Sequence, residues 1–273
     1  MNVPFLDNAT PEQIDLAAEA NMVTHMSWVQ RHTAGMRVIQ DDELTVVDSG
    51  LASDTFSYIC RARLYEDSLP RRIAQAIGHF NTVQRPFSWW VGPADRPDDL
   101  GQSLIEAGLE PAESEVAMVA DLATLNATDL TPHGLRIERA TTPKHIRNFG
   151  NTLAALMTPS EETVIRFYEA AAPLLSASDA PMWLYVGYLE PVATAELTAS
   201  GGVAGLYNIS TLELHRHKGI GSALTLRPLL DARTEGFKMG ILQAAADGLG
   251  VYTRLGFRAT GQFTEYQLPA PFD

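Results

Sequence analysis

The turn Arg216-His217-Lys218-Gly219-Ile220-Gly221 carries the strongest chemical signal in the chain. Glycines at 219 and 221 permit close backbone approach and unusual dihedrals. Several successive N–H groups can then face one anion, and a helix that starts there adds its positive end. His215, Arg216, His217 and Lys218 place local positive potential in a chain of net charge −13. A strand-like run, 206–212, precedes the turn. A helical run, the strand-like Ile241-Leu242-Gln243-Ala244 and a tyrosine, Tyr252, follow it. This order suits a phosphorylated ligand held on a helix N-terminus. Taken alone, a Gly-x-Gly before a helix also describes an ordinary tight turn. His215 and His217 have the spacing of two metal ligands, but the sequence offers no evident partners to complete such a site, and no metal is expected.

The other elements must position that turn. At 273 residues the chain has room for one large domain or two of ordinary size. Hydrophobic residues at 45% and charged residues at 19% call for a packed core. The single cysteine, Cys60, excludes an internal disulfide and fits a reducing, cytoplasmic compartment. It lies in an apolar strand-like run, as a small buried hydrophobe does. The first residues lack a secretion signal, and no run is long enough for a membrane span. The acidity argues against nucleic acid and favours a cationic partner, although it also serves solubility.

Thr10-Pro11-Glu12-Gln13 predicts a helix start with a capping box, and a second helical stretch covers Asn21 to Arg31. Residues 36–39 and 44–47 predict a hairpin across Asp41-Asp42. Strands are expected over 56–62, 86–93 and 115–122, and helices over 70–80 and 97–107, the latter ending at Gly108. The turn-rich stretch from Leu125 to Gly134 is the expected linker. It divides a first domain, 1–126, from a second, 134–273. Beyond it, strand 135–139 leads to helices 142–156 and 160–175, the second capped by Ser160. A hairpin, 182–188 with 192–198, turns at Glu190-Pro191, and strand 203–211 continues the meander. Pro228 should kink the helix after Gly221.

The halves echo each other. Leu104-Ile105-Glu106-Ala107-Gly108-Leu109 aligns with Tyr252-Thr253-Arg254-Leu255-Gly256-Phe257, Leu104 standing where Tyr252 stands. The first half has no counterpart of the glycine turn. Two related halves, one of which has lost its site, would produce this pattern, as would chance similarity.

Arg216-x-x-Gly219-x-Gly221 after a strand, with Tyr252-x-x-Leu255-Gly256-Phe257 a helix and a strand later, resembles the GNAT acyltransferase superfamily. The match covers roughly residues 135 to 268. The resemblance implies an α/β fold of two GNAT-like mixed sheets flanked by helices, the C-terminal one complete and the N-terminal one degenerate. It implies acetyl-CoA as co-substrate, its pyrophosphate held by the backbone of His217, Lys218, Gly219, Ile220, Gly221 and Ser222. It implies a splayed strand whose Ile209, Ser210 and Thr211 pair with the pantetheine amides, and Tyr252 near the cofactor sulfur. The family often has Asn or Ser seven residues before that tyrosine; here Ala245 stands there, so one side-chain contact is missing.

Acyl transfer to an amine needs a base for the amine and an acid for the leaving thiolate. On the resemblance Tyr252 is the acid, while Glu196 and Glu213 are the candidate bases, acting directly or through water. No Gly-x-Ser-x-Gly elbow and no Cys/His pair point to a covalent intermediate. In the first half, Asp54, Trp89 and Trp90 lie near strand ends, where an acid and an aromatic wall would suit a protonated amine or sugar. Trp89 and Trp90 are equally explained as core packing. The expected activity is N-acetylation of a small cationic amine, with an aminoglycoside of the kasugamycin type as the specific acceptor. The competing expectations are a non-catalytic acyl-CoA sensor and a protein-amine acetyltransferase. A homodimer is left open.

Overall fold

The computed structural model describes residues 5–126, 131–157, 161–189 and 191–269. In chain order its elements are α1 (Pro11–His32), β1 (Arg37–Gln40), β2 (Thr45–Asp48), β3 (Tyr58–Cys60), α2 (Leu69–Val83), β4 (Ser88–Val91), α3 (Leu100–Glu106) and β5 (Glu110–Asp121). There follow β6 (Arg136–Arg139), α4 (Pro143–Ala154), α5 (Glu162–Leu175), β7 (Met182–Tyr188), β8 (Pro191–Ser200), β9 (Val203–Thr211), α6 (Ile220–Thr234), β10 (Met239–Ala244), α7 (Leu249–Leu255) and β11 (Arg258–Gln267). The expected Ser160 cap, Glu190 at the hairpin turn and residues 127–130 of the linker lie outside the described residues. No helix among the described residues is long and apolar enough to cross a membrane.

The chain forms two compact units that do not follow the cut expected at the linker. The larger contains Met1–His25 and Ala117–Thr260, the smaller Met26–Val116 and Gly261–Asp273. Three single elements, α1, β5 and β11, pass from one unit into the other.

In the larger unit β6, β7, β8 and β9 form an antiparallel meander, and β10 joins β9 in parallel. The β8–β9 hairpin closes on Gly201-Gly202, both with positive φ (65° and 77°), the conformation a two-residue hairpin turn needs. Side chains alternate across β7 and β8. Tyr185 therefore points to one face, where its hydroxyl donates to Asp231 of α6. Glu196, paired with Leu184, points to the face where α5 supplies Tyr168.

Helix α1 is one helix where two were expected. Its start is the capping box read from the sequence: Thr10 N donates to Gln13 Oε1 at 2.9 Å, and Gln13 N donates to Thr10 Oγ1 at 3.3 Å. Asn21, where the second helix was expected to begin, lies within α1, and its buried side chain bonds to the β8–β9 hairpin. Ile14, Ala17 and Ala18 pack with Val203 and Ile241 in a buried cluster. Pro228 lies inside α6, which is assigned as one helix through Thr234.

The smaller unit also carries a mixed sheet. β1, β2 and β3 are antiparallel neighbours, β3 and β4 are parallel, and β11 pairs antiparallel with β4. Asp41 Oδ1 accepts from the N–H groups of Glu43 and Leu44 and so shapes the β1–β2 turn. Its core joins Ile59, Ile73, Phe80, Trp89, Leu100 and Leu104. The echo between the halves extends to backbone geometry. Gly108 and Gly256 both have positive φ, 94° and 104°. Leu109 N donates to Leu104 O, and Phe257 N donates to Tyr252 O, each at 3.0 Å. These are the same left-handed helix termination in two places.

Candidate functional site

The site in the larger unit begins at a bulge in β9. Thr194 pairs with Ser210 and Glu196 with Tyr207, so Asn208 and Ile209 together face Ala195. Asn208 takes φ of 50°, a conformation asparagine tolerates better than most residues. Thr194 Oγ1 donates to Asn208 O at 2.9 Å and holds the bulge. On its other edge β9 pairs with β10 only over Ala204–Leu206. From Tyr207 to Thr211 the strand has no ladder partner on that side among the described residues and is half-buried, whereas Val203 to Leu206 are buried. Ile209, Ser210 and Thr211, the residues expected to pair with pantetheine amides, lie on this stretch.

Beyond this edge the chain turns through a short helical turn, Glu213–His215, into the glycine turn. His217 and Gly219 both have positive φ (60° and 79°), and Gly219 caps α6. The first N–H groups of α6, from Ile220, Gly221 and Ser222, have no intrahelical acceptor, because Ala223 N is the first to bond back, to Gly219 O. Arg216 Nε donates to Thr211 O and Lys218 Nζ to Leu214 O, which ties the turn to the strand end. A Cβ added at Gly221 would meet nothing nearer than Thr211 Oγ1 at 4.0 Å. Packing within the protein does not require glycine there; a ligand approaching the backbone does. The residues therefore fit a pyrophosphate group.

Tyr252 stands on α7, half-buried, its ring edge-on to Phe257 at 6.1 Å. Gly248 makes room for it, since a Cβ there would lie 2.9 Å from Tyr252 Cε2. Ala245 is exposed and offers no polar side chain.

The two candidate bases have opposite settings. Glu213 is exposed, with no hydrogen bond from its carboxylate among the described residues. Glu196 has no exposed surface at all. Its Oε1 lies 2.7 Å from His25 Nδ1, and its Oε2 accepts from Asn208 Nδ2 at 3.1 Å and Tyr168 OH at 3.2 Å. A buried carboxylate needs such partners. The expectation that Glu196 meets the acceptor directly is corrected: it is sealed behind His25, Tyr168 and Asn208. The His25 ring stacks on Tyr207 with centroids 3.8 Å apart and planes 2° from parallel. Tyr207 OH donates to Asn21 Oδ1 at 2.9 Å. The sequence reading missed His25, Asn21, Tyr168, Tyr207 and Asn208. Only the polar run of His and Asn on an otherwise apolar α1 face could have signalled the first two.

In the smaller unit Asp54 begins a short helical turn and accepts from Gln267 Nε2 at 3.3 Å. Trp89 is fully buried in the unit's core, which corrects its assignment to a ligand wall; Trp90, on the other face of β4, is half-buried. The groove between α2 and α3, of about 660 Å³, takes carboxylates from Glu66, Asp99 and Glu106. It has no glycine turn, and these acids oppose a phosphate group.

These elements have counterparts among solved structures. Over 92% of this chain and 96% of the other, the chain superposes on a GCN5-related N-acetyltransferase from Kribbella flavida, with TM-score 0.69 and 17% identity. The fold is that of the GCN5-related N-acetyltransferases. A tandem GNAT protein from the clavulanic acid biosynthesis pathway matches over 99% of this chain and 98% of its own, at TM-score 0.59 and 13% identity. A glucosamine N-acetyltransferase region of a fungal multi-domain β-N-acetylglucosaminidase matches over 94% of this chain and 34% of its own, at TM-score 0.59 and 13% identity. No protein-family model and no curated protein matches the chain.

Proposed function

We propose that the protein is an N-acetyltransferase that moves the acetyl group of acetyl-CoA directly to a primary amine of a small cationic acceptor. The observation that carries this reading is one continuous segment. The unpaired β9 edge, 207–211, runs into a turn of unsatisfied N–H groups at the start of α6. The first suits pantetheine amides and the second a pyrophosphate. When bound, acetyl-CoA supplies an activated thioester. The chain's own residues do the rest: β9 and the turn at 217–222 hold and orient it, and the Tyr252 hydroxyl delivers a proton to sulfur. The acidic balance of the chain favours a cationic acceptor, and an aminoglycoside or related amino sugar, kasugamycin-type antibiotics included, is the class we favour. The glucosamine-acetylating neighbour has the same fold. A cytoplasmic setting fits Cys60, the chain's single cysteine, which is buried.

Thiol release from acetyl-CoA over a panel of aminoglycosides, amino sugars and simple alkylamines tests this. Turnover of at least one amine is expected, and Tyr252→Phe should lower it by about a hundredfold while acetyl-CoA affinity is kept. Tight acetyl-CoA binding without release by any amine would instead favour an acyl-CoA sensor. Unchanged turnover in Tyr252→Phe refutes the acid role.

A further inference from the structure

We infer that His25, on the N-terminal helix, is the base that takes a proton from the acceptor amine, with Glu196 as its positioning residue; this rests on the acetyltransferase reading. Glu196 has no surface to offer an amine, and both its oxygens are occupied. A carboxylate set against Nδ1 selects the tautomer with its proton on Nδ1 and its lone pair on Nε2. Stacking on Tyr207 fixes the plane of the ring. Tyr207 is itself held through Asn21. Nε2 has no partner among the described residues, and the side chain keeps 15% of its surface open. An imidazole locked at one nitrogen by a buried carboxylate, with the other unpartnered among the described residues and the side chain partly exposed, is the arrangement a proton acceptor requires, and the carboxylate stabilises the imidazolium that forms. Location agrees. The same carboxylate bonds Asn208, the bulge residue at the head of the unpaired edge of β9.

The step balances. An alkylammonium acceptor loses two protons as it becomes an amide. His25 Nε2 takes one and passes it to solvent. The nitrogen lone pair forms the C–N bond, the C–S electron pair leaves with sulfur, and sulfur is protonated by the Tyr252 hydroxyl. The second amine proton restores that hydroxyl.

Two readouts test the proposal. The first is ¹⁵N NMR of the His25 ring in the full chain, which needs no acceptor. We expect the Nδ1–H tautomer in the wild type and a mixture in Glu196→Gln. The second is thiol release with an alkylamine from the panel and with hydroxylamine, whose nitrogen is already unprotonated at neutral pH. His25→Gln should lower alkylamine turnover by about a hundredfold or more, and hydroxylamine turnover far less. Free imidazole should partly restore His25→Ala. Glu196→Gln should lower kcat and leave the alkylamine KM near its wild-type value. An Nε2–H tautomer with turnover intact overturns the base role alone, as does equal loss with both acceptors, the mark of a structural residue. No thiol release with any acceptor, despite the expected tautomer, overturns the acetyltransferase reading and the base role with it.

Discussion

Removing the Asn21 amide should cost more stability than a typical polar substitution, because one side chain closes a hairpin. Asn21 has no exposed surface. Its Nδ2 donates to the carbonyls of Thr198, Ser200 and Val203 at 2.8, 2.9 and 3.1 Å, and its Oδ1 accepts from Tyr207 OH at 2.9 Å. Two amide hydrogens and one phenol hydrogen make three independent bonds. At about 1 kcal/mol net for each, Asn21→Ala loses about 3 kcal/mol. For a protein of this size that lowers Tm by roughly 6–12 °C. Asn21→Asp should be worse at neutral pH, since it turns a carboxylate towards three carbonyl oxygens and keeps no donor. Gly205 supplies an internal control. A Cβ there would lie 1.9 Å from Asn21 Oδ1, so Gly205→Ala should destabilise the wild type and cost much less in the Asn21→Ala background. Scanning calorimetry of the wild type, the three single variants and the Asn21→Ala/Gly205→Ala double variant measures all of this. Asn21→Asp melting at or above Asn21→Ala, or additive effects at 21 and 205, would refute the reasoning.

Two further outcomes are expected. Gly221→Val should fold normally, because the space above that residue is open, yet lose acetyl-CoA affinity by at least about tenfold, read by calorimetric titration; this follows from the close backbone approach that only glycine permits. In the smaller unit, burial together with Glu113 and Glu265 pushes the Glu115 carboxyl up from 4.5 to about 7. The folded state thus favours the protonated form, so that contribution is full below about pH 4.5 and disappears as pH rises through about 7. Glu115→Gln should therefore gain stability over the wild type as pH rises through that window, and urea unfolding at several pH values measures the difference.

Local rules carried much of the sequence reading. The capping box at Thr10 and Gln13 and the glycine caps at 108 and 256 depend on neighbours within a few residues, so they could be read directly. The glycine turn and the strand before it could be read together for the same reason, since they are contiguous. The base could not. His25 and Glu196 are 171 positions apart, and nothing in either neighbourhood requires the other. The role of Asn21 was equally hidden, because its partners lie far along the chain. It makes tertiary bonds from mid-helix. The bulge at Asn208 was hidden because a strand pattern shows alternation and not register. Trp89 admitted two readings, a ligand wall and core packing, and its position in the pleat sends it into the core.

The interleaving of the two units has a consequence for synthesis on the ribosome. The larger unit needs Met1–His25 at the start of its chain and Thr260 at its end, while the smaller needs residues after Gly261. Neither can finish before residues up to about 260 have left the exit tunnel, so folding one unit before the other has been synthesised is closed to this protein. Until then α1 carries Asn21 and His25 without the hairpin and the carboxylate that they serve. Dividing the chain at the 125–134 stretch would place His25 and Glu196, 2.7 Å apart in the fold, on different polypeptides.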